Sequence, residues 1–83
     1  MKLLYFAWLR ERIGLGEEDV VPPRNVATVG DLIDWLRTRG PGYANALGNT
    51  SVVRVAVNQT YVKSDHHLQP DDEVALFPPV TGG

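Results

Sequence analysis

The sequence contains no cysteine among its 83 residues. This absence excludes disulfide bonds, thiolate metal sites and cysteine nucleophiles, so any sulfur that the protein handles is not held on a side-chain thiol. The net charge is only −2, and no cluster of basic residues indicates nucleic-acid binding. No long hydrophobic run is present, so we expect no membrane span, and "MKLLYFAWLRER" lacks the features of a secretory signal. A cysteine-free chain of this kind predicts a cytoplasmic protein.

Motifs for catalysis or metal binding are also missing from the sequence. His66 and His67 are adjacent, so in an extended segment they point to opposite sides and chelate one ion poorly. The acidic run 71–73 follows a proline and is interpreted as a solvated turn. Ser51 and Ser64 have no matching base in a recognisable motif. We therefore predict no metal site and no catalytic centre within the folded part of the chain.

The first half of the chain shows two strand patterns and one strong helix pattern. "KLLYFAWL" is typical of a strand, "WLRERIG" of a short helical turn that ends at Gly14, and "EEDVVPP" of a weaker strand. In "TVGDLIDWLRTRG", Thr28 is the expected N-cap and Asp31 its capping-box partner. The apolar residues recur at helical spacing and predict one buried stripe, formed by Val29, Leu32, Ile33 and Leu36.

The second half adds strands in "SVVRVAV", "NQTYV" and "DEVALF", with one more helical turn in "GYANALG". The main order is therefore β-β-α-β-β-β. A right-handed crossover through the helix lays the last strand parallel to the first. This predicts an α+β fold of the β-grasp, ubiquitin-like type, with a mixed sheet packed on one main helix. We expect the domain to span residues 1–77 and a flexible C-terminal tail to span residues 78–83.

The alternation of residues in the strands predicts an exposed aromatic surface. Phe6 shares a face with Lys2, and Phe77 shares a face with Glu73, so both aromatics lie on the side that the main helix leaves uncovered. Tyr61 in the short strand between them is expected to join them. Such a cluster on a small domain indicates a partner surface. The alternative is a second small core beneath a loop.

The tail "FPPVTGG" is the most distinctive chemical feature of the sequence. Pro78 and Pro79 favour an extended path away from the sheet. Gly82 and Gly83 have no side chains, so they pass through a narrow channel that larger residues block. The Gly83 carboxylate is unhindered. This pattern suits a group delivered into the pocket of another protein, and the alternative is an inert end.

Two stretches carry a family resemblance that covers nearly the whole chain. "AVNQTYV…DHHL…DDEVALFPPVTGG" resembles the small subunits of molybdopterin synthase, a family of ubiquitin-like sulfur carriers. "YFAWLRERIG" is similar to the "FA-x-x-RE-x-x-G" pattern of the same family. Two positions depart from it, since Tyr61 replaces a commoner aliphatic residue and His67 stands where proline is frequent.

The resemblance implies a reaction at Gly83. An E1-like enzyme would use ATP to convert its carboxylate to an acyl-adenylate, and sulfur would replace AMP to leave a thiocarboxylate. The tail, from Pro78 and Pro79 through Val80, Thr81 and Gly82, would enter a pocket of the large subunit. There the thiocarboxylate would donate sulfur to cyclic pyranopterin monophosphate and form molybdopterin, the precursor of the molybdenum cofactor.

The resemblance also implies how the chain assembles. The interface residues of the family fall on Phe6, Tyr61 and Phe77, and the complex would be a heterotetramer of two small and two large subunits. The chain would bind no cofactor itself and would act as the sulfur-donor subunit. Two alternatives share the tail chemistry, namely a sulfur carrier of the thiamine pathway and a ubiquitin-like modifier that joins Gly83 to lysines.

Overall fold

The computed structural model describes residues 1–79 of the chain. Five strands and three helices follow one another, with a 3₁₀ turn before the third strand. Their bounds are β1 Lys2–Tyr5, α1 Ala7–Ile13, β2 Glu17–Asp19, α2 Val29–Arg37, α3 Pro41–Ala46, the 3₁₀ turn Thr50–Val52, β3 Arg54–Val57, β4 Thr60–Val62 and β5 Glu73–Phe77.

The strands form one mixed sheet in the order β2-β1-β5-β3-β4. The first and last strands of the chain pair in parallel, with Tyr5 beside Leu76, and all other neighbours are antiparallel. This is the β-grasp arrangement that the sequence predicts, and α2 is the connection between its two halves. The α+β fold class is confirmed.

The core lies between the sheet and the helices because alternate strand residues share one face. β1 buries Leu3 and Tyr5, and β5 buries Val74 and Leu76. The predicted stripe of α2 faces them, and all four of its members are buried: Val29, Leu32, Ile33 and Leu36.

The predicted start of α2 is confirmed in atomic detail. The Thr28 hydroxyl accepts a hydrogen bond from the Asp31 N–H at 3.2 Å, and the Asp31 carboxylate accepts one from the Thr28 N–H at 3.1 Å. Hydrogen bonds from the N–H groups of Ala27 and Thr28 lower the pKa of Asp31. A reciprocal cap of this kind satisfies backbone donors that the first helical turn leaves free.

The first strand is shorter than the sequence predicts. It ends at Tyr5 instead of continuing through Leu9, because Ala7 has a positive φ of 54° and α1 begins there. Helical spacing then turns Leu9 into the core. α1 ends as predicted at Gly14, whose φ of 91° is left-handed, and its N–H donates to the Arg10 carbonyl at 2.9 Å. The strand predicted over residues 17–23 is also shorter, since β2 ends at Asp19.

Candidate functional site

The three predicted surface aromatics lie on the open side of the sheet, and we call them the aromatic face (Phe6, Tyr61 and Phe77). Phe6 is 48% exposed and Tyr61 76% exposed, while Phe77 is half-buried. The rings of Tyr61 and Phe77 are in contact, with centroids 5.5 Å apart. Phe6 follows β1 and still lies alongside β5, because its backbone is extended and its N–H donates to the Leu76 carbonyl at 3.2 Å. These exposures argue against a second core beneath a loop.

Small residues lie between the aromatics on the sheet. Ala56 lies directly across from Tyr61 on one neighbouring strand and from Ala75 on the other. Side chains of this size leave the large rings standing above the sheet. Beside them runs a shallow groove of about 220 Å³, bordered by the exposed Arg54 and by both Tyr61 and Phe77. Such a surface can bind an apolar side chain of another protein, and its role as an interface stays a prediction.

Asn58 orients Tyr61 by shaping the turn between β3 and β4. Asn58 and Gln59 have φ values of 50° and 69°, the pair of positive angles that a type I′ hairpin turn requires. The Asn58 carbonyl oxygen of the side chain accepts from the Glu73 N–H at 3.0 Å, and its amide donates to Asp72 at 2.9 Å. The turn is thereby joined to the start of β5.

The acidic run 71–73 differs from the sequence-based interpretation at one position. Asp72 is buried and only 8% exposed, and its carboxylate accepts hydrogen bonds from the Asn58 side chain and from the Gln69 N–H at 2.7 Å. The interpretation as a solvated turn is therefore wrong for Asp72, because the partner Asn58 comes from a turn 14 residues away. Its contacts are those of a structural residue.

The other polar candidates from the sequence do not converge. His66 and His67 are exposed, and within residues 1–79 no group of three or more potential ligands could hold a metal ion. The Ser51 hydroxyl donates to Asn49 at 2.6 Å, a contact that fixes the 3₁₀ turn. Ser64 offers its backbone carbonyl to the Gly30 N–H at 2.9 Å. None of these residues is arranged for nucleophilic attack.

A polar cluster that the sequence patterns do not reveal joins β2 to the helices, here called the Glu18 cluster (Tyr5, Glu18, Arg39 and Tyr43). Its carboxylate accepts from the hydroxyls of Tyr5 at 2.7 Å and Tyr43 at 2.6 Å and from Arg39 at 2.8 Å. Burial alone raises the pKa of Glu18, but the hydrogen bonds from Tyr43, Arg39 and Tyr5 outweigh it and lower that pKa. Burial and the same carboxylate raise the pKa of Tyr5. Glu18 lies directly across from the buried Leu3 on β1, a pairing that the structure shows and that no local sequence pattern indicates.

The chain leaves the sheet beside the aromatic face. Pro78 and Pro79 follow β5 directly, and both are half-buried. The remaining predicted tail positions lie outside the described residues, namely Val80, Thr81, Gly82 and Gly83. The described part of the site is thus an exposed aromatic face next to the end of β5, from which the chain continues into the two prolines.

A comparison with protein families identifies the family of this chain. The model of the ThiS family matches residues 3–83. The chain belongs to the ThiS family. The ThiS-family chain is similar over its full length to curated relatives, each called "Molybdopterin synthase sulfur carrier subunit". The Escherichia coli relative is 41% identical, with 100% of this chain and 99% of the relative covered. The human relative is 34% identical, with 100% and 93% covered.

Among solved structures, the ThiS-family chain is similar to small archaeal modifier protein 1 (SAMP1) from Haloferax volcanii. The TM-score is 0.79 at 31% identity, and the match covers 100% of this chain and 98% of the other. The predicted fold and the predicted class of function, a sulfur carrier subunit in place of a self-contained enzyme, are confirmed at the level of the family. Within residues 1–79, no helix has the length and hydrophobicity needed for a membrane span.

Proposed function

We propose that this chain is the sulfur carrier subunit of a molybdopterin synthase. The observation that carries the proposal is its full-length similarity to curated sulfur carrier subunits, with up to 41% identity among those described above. The fold supports it, because the exposed aromatic face and the two prolines lie at the same end of β5. The location in the cytoplasm stays a prediction from the sequence.

The proposed chemistry takes place at Gly83. Its carboxylate attacks the α-phosphate of ATP on an E1-like enzyme, which forms an acyl-adenylate and releases pyrophosphate. A sulfur nucleophile then displaces AMP and leaves a thiocarboxylate. Adenylation is needed because a carboxylate oxygen is a poor leaving group. In the synthase, the thiocarboxylate sulfur bonds to cyclic pyranopterin monophosphate, and water then cleaves the acyl–sulfur bond, which leaves the sulfur on the pterin and restores the Gly83 carboxylate. No cysteine of this chain takes part.

The proposed partner is the large subunit, in a heterotetramer of two small and two large chains. Phe6, Tyr61 and Phe77 would bind it, and residues 78–83 would enter its pocket. Phe6 and Tyr61 expose large aromatic rings to water, and burying aromatics at the centre of an interface contributes strongly to affinity. Catalytic acids and bases would lie on the partners, and this chain would bind no cofactor of its own.

Intact-mass measurement tests the proposal directly. The chain is incubated with ATP, an activating enzyme and a sulfur donor, and a matched chain without Gly83 is the control. We expect the wild-type mass to rise by the difference between sulfur and oxygen, and we expect the large subunit with pyranopterin to reverse the change. An unchanged mass, or an equal change in the control, would contradict the proposal.

A second candidate function is protein modification, which the similarity to the Haloferax modifier protein favours. In that case the activated Gly83 would form amide bonds with lysines of other proteins. Co-elution with a purified large subunit supports the synthase, whereas lysine conjugates of Gly83 without such a complex support the modifier. A sulfur carrier of the thiamine pathway would gain sulfur in the mass test but would not donate it to the pyranopterin.

A further inference from the structure

A groove of about 630 Å³ lies where the chain leaves the sheet. It is separate from the groove beside Tyr61, and none of its residues belongs to the aromatic face. Three parts of the fold meet there: α1, the segment around the 3₁₀ turn, and the residues after β5. We call it the tail-root groove, and its lining residues are Trp8, Arg12, Asn49, Val52, Pro78 and Pro79.

Both walls of the tail-root groove are held in place by their own contacts. Trp8 is half-buried and packs against the hydrophobic core. Arg12, one helical turn later, places its guanidinium 4.6 Å from the centre of the Trp8 ring, a cation–π distance. On the opposite wall, the Asn49 side chain accepts hydrogen bonds from the Ser51 N–H and hydroxyl at 3.2 and 2.6 Å. The groove therefore has a defined shape around the two prolines.

We propose that Trp8 is a positioning residue that sets the direction in which the C-terminal tail leaves the domain. Pro78 and Pro79 lie beyond the last strand, yet both are half-buried, and they line the same groove as the Trp8 indole. Their rings fix φ at two successive positions, so fewer backbone rotations can change the orientation at the root of the tail. The inference rests on the proposed function, since direction matters only if Gly83 must reach a pocket in another protein.

The size of the effect follows from the length of the tail. Four residues follow Pro79, and they span at most about 13 Å when extended. Turning such a segment by about 30° at its root displaces its end by roughly 7 Å. Without Trp8 the tail would have to be ordered after docking, before Gly83 reaches the pocket. Ordering the backbone of one residue corresponds to roughly a 5- to 30-fold change in an equilibrium. We therefore expect sulfur transfer to slow by about that factor.

Single-turnover sulfur transfer measures this effect. The chain is prepared with a thiocarboxylate at Gly83 and mixed with saturating large subunit and cyclic pyranopterin. We expect Trp8→Ala to lower the rate constant about 5- to 30-fold, with little change in the Kd for the large subunit because the aromatic face is intact. Trp8→Phe should restore most of the rate because it keeps an apolar ring.

Trp35→Ala is the matched control for loss of a half-buried indole. Trp35 also packs against the core, and the Arg39 guanidinium lies 5.1 Å from its ring, but it lines no part of the tail-root groove. We expect Trp35→Ala to transfer sulfur at the wild-type rate. A wild-type rate for Trp8→Ala, or an equal loss in both variants, would overturn the inference.

Fluorescence tests the inference without a partner, so its failure is distinguishable from failure of the proposed function. The chain has two tryptophans, and Trp35→Phe leaves Trp8 as the single emitter. Replacing Pro78 and Pro79 by glycine in that background should shift the Trp8 emission to the red and increase its quenching by acrylamide. Unchanged emission and quenching would show that the prolines do not cover the indole. If the wild-type chain transfers no sulfur but the emission shift is observed, only the proposed function is refuted.

Discussion

Glu18→Gln is expected to destabilise the domain although it only replaces one carboxylate oxygen by an NH₂ group. The Glu18 Oε2 accepts from both tyrosine hydroxyls, and Oε1 accepts from Arg39. A glutamine amide keeps one oxygen and replaces the other by NH₂, which cannot accept. If the oxygen faces Tyr5 and Tyr43, the NH₂ meets the Arg39 guanidinium, and two donors then face each other. If the amide oxygen faces Arg39 instead, the buried Tyr5 hydroxyl has no acceptor.

The magnitude follows from the loss of one charge-assisted hydrogen bond. Bonds to charged groups contribute about 1.5–3 kcal/mol, and a buried donor left without a partner costs about 1–3 kcal/mol. The Arg39 side chain is 31% exposed, so water replaces part of its bond. We expect Glu18→Gln to lower the free energy of unfolding by about 1–3 kcal/mol, which for a domain of this size lowers Tm by roughly 4 °C or more.

The effect should depend on pH in a defined direction. The pKa of Glu18 is lower in the folded state than its usual value, and the unfolded value is near 4.3. The stabilisation by the carboxylate is therefore complete above the unfolded pKa and is lost as the pH falls through the folded pKa. Wild type and Glu18→Gln should differ most at neutral pH and converge in acid.

Urea unfolding followed by circular dichroism between pH 7 and pH 3 tests both statements. Glu17→Gln is the matched control on the same strand. Its carboxylate lies 3.2 Å from Lys2, and both side chains are exposed, so its removal should change stability very little. Equal stability of wild type and Glu18→Gln at pH 7, or a difference that persists unchanged to pH 3, would refute the role assigned to the Glu18 cluster.

Three further predictions concern the helix cap, the core and the aromatic face. Thr28→Ala removes the acceptor of the capping box and should cost about 1 kcal/mol in chemical unfolding; an unchanged midpoint would contradict the cap. Leu36→Ala leaves a cavity beneath the sheet and should cost about 2–5 kcal/mol in the same assay, and a cost below the effect of Thr28→Ala would contradict its place in the core. Tyr61→Ala should weaken binding of the large subunit, measured by calorimetry, while Tm stays near wild type because Tyr61 is 76% exposed. If Tyr61→Ala binds the large subunit with the same affinity as wild type, Tyr61 is not part of the interface.

Features that repeat along the chain were predictable from the sequence. The stripe of α2 and the alternation in β5 follow from a fixed spacing, so the burial of Leu36 and Val74 could be predicted without knowing their partners. The pairing of β1 with β5 followed from the handedness of the crossover. The end of β1 was not predictable in this way, because "YFAWL" suits a strand until Ala7 adopts a positive φ and a helix begins.

Features that depend on contacts between distant segments could not be predicted from the sequence. Glu18 stands between two other acidic residues, and its partners Tyr5, Arg39 and Tyr43 come from three other places in the chain. Asp72 was assigned to a solvated turn because its partner Asn58 is remote in sequence. In both cases one polar residue is buried by partners that no local pattern identifies. The partner roles of the aromatic face and the tail stay predictions.

The end of β5 links two tasks that the proposed function requires. Phe77 belongs to the aromatic face, and the next two residues line the tail-root groove. Binding through the aromatic face would therefore fix the position from which the tail starts, while Trp8 would fix its direction. The two tasks use different side chains, so they should separate by mutation: Tyr61→Ala should raise Kd and leave transfer at saturation unchanged, whereas Trp8→Ala should slow transfer and leave Kd nearly unchanged. The same pattern of loss in both variants would mean that docking and delivery are one event.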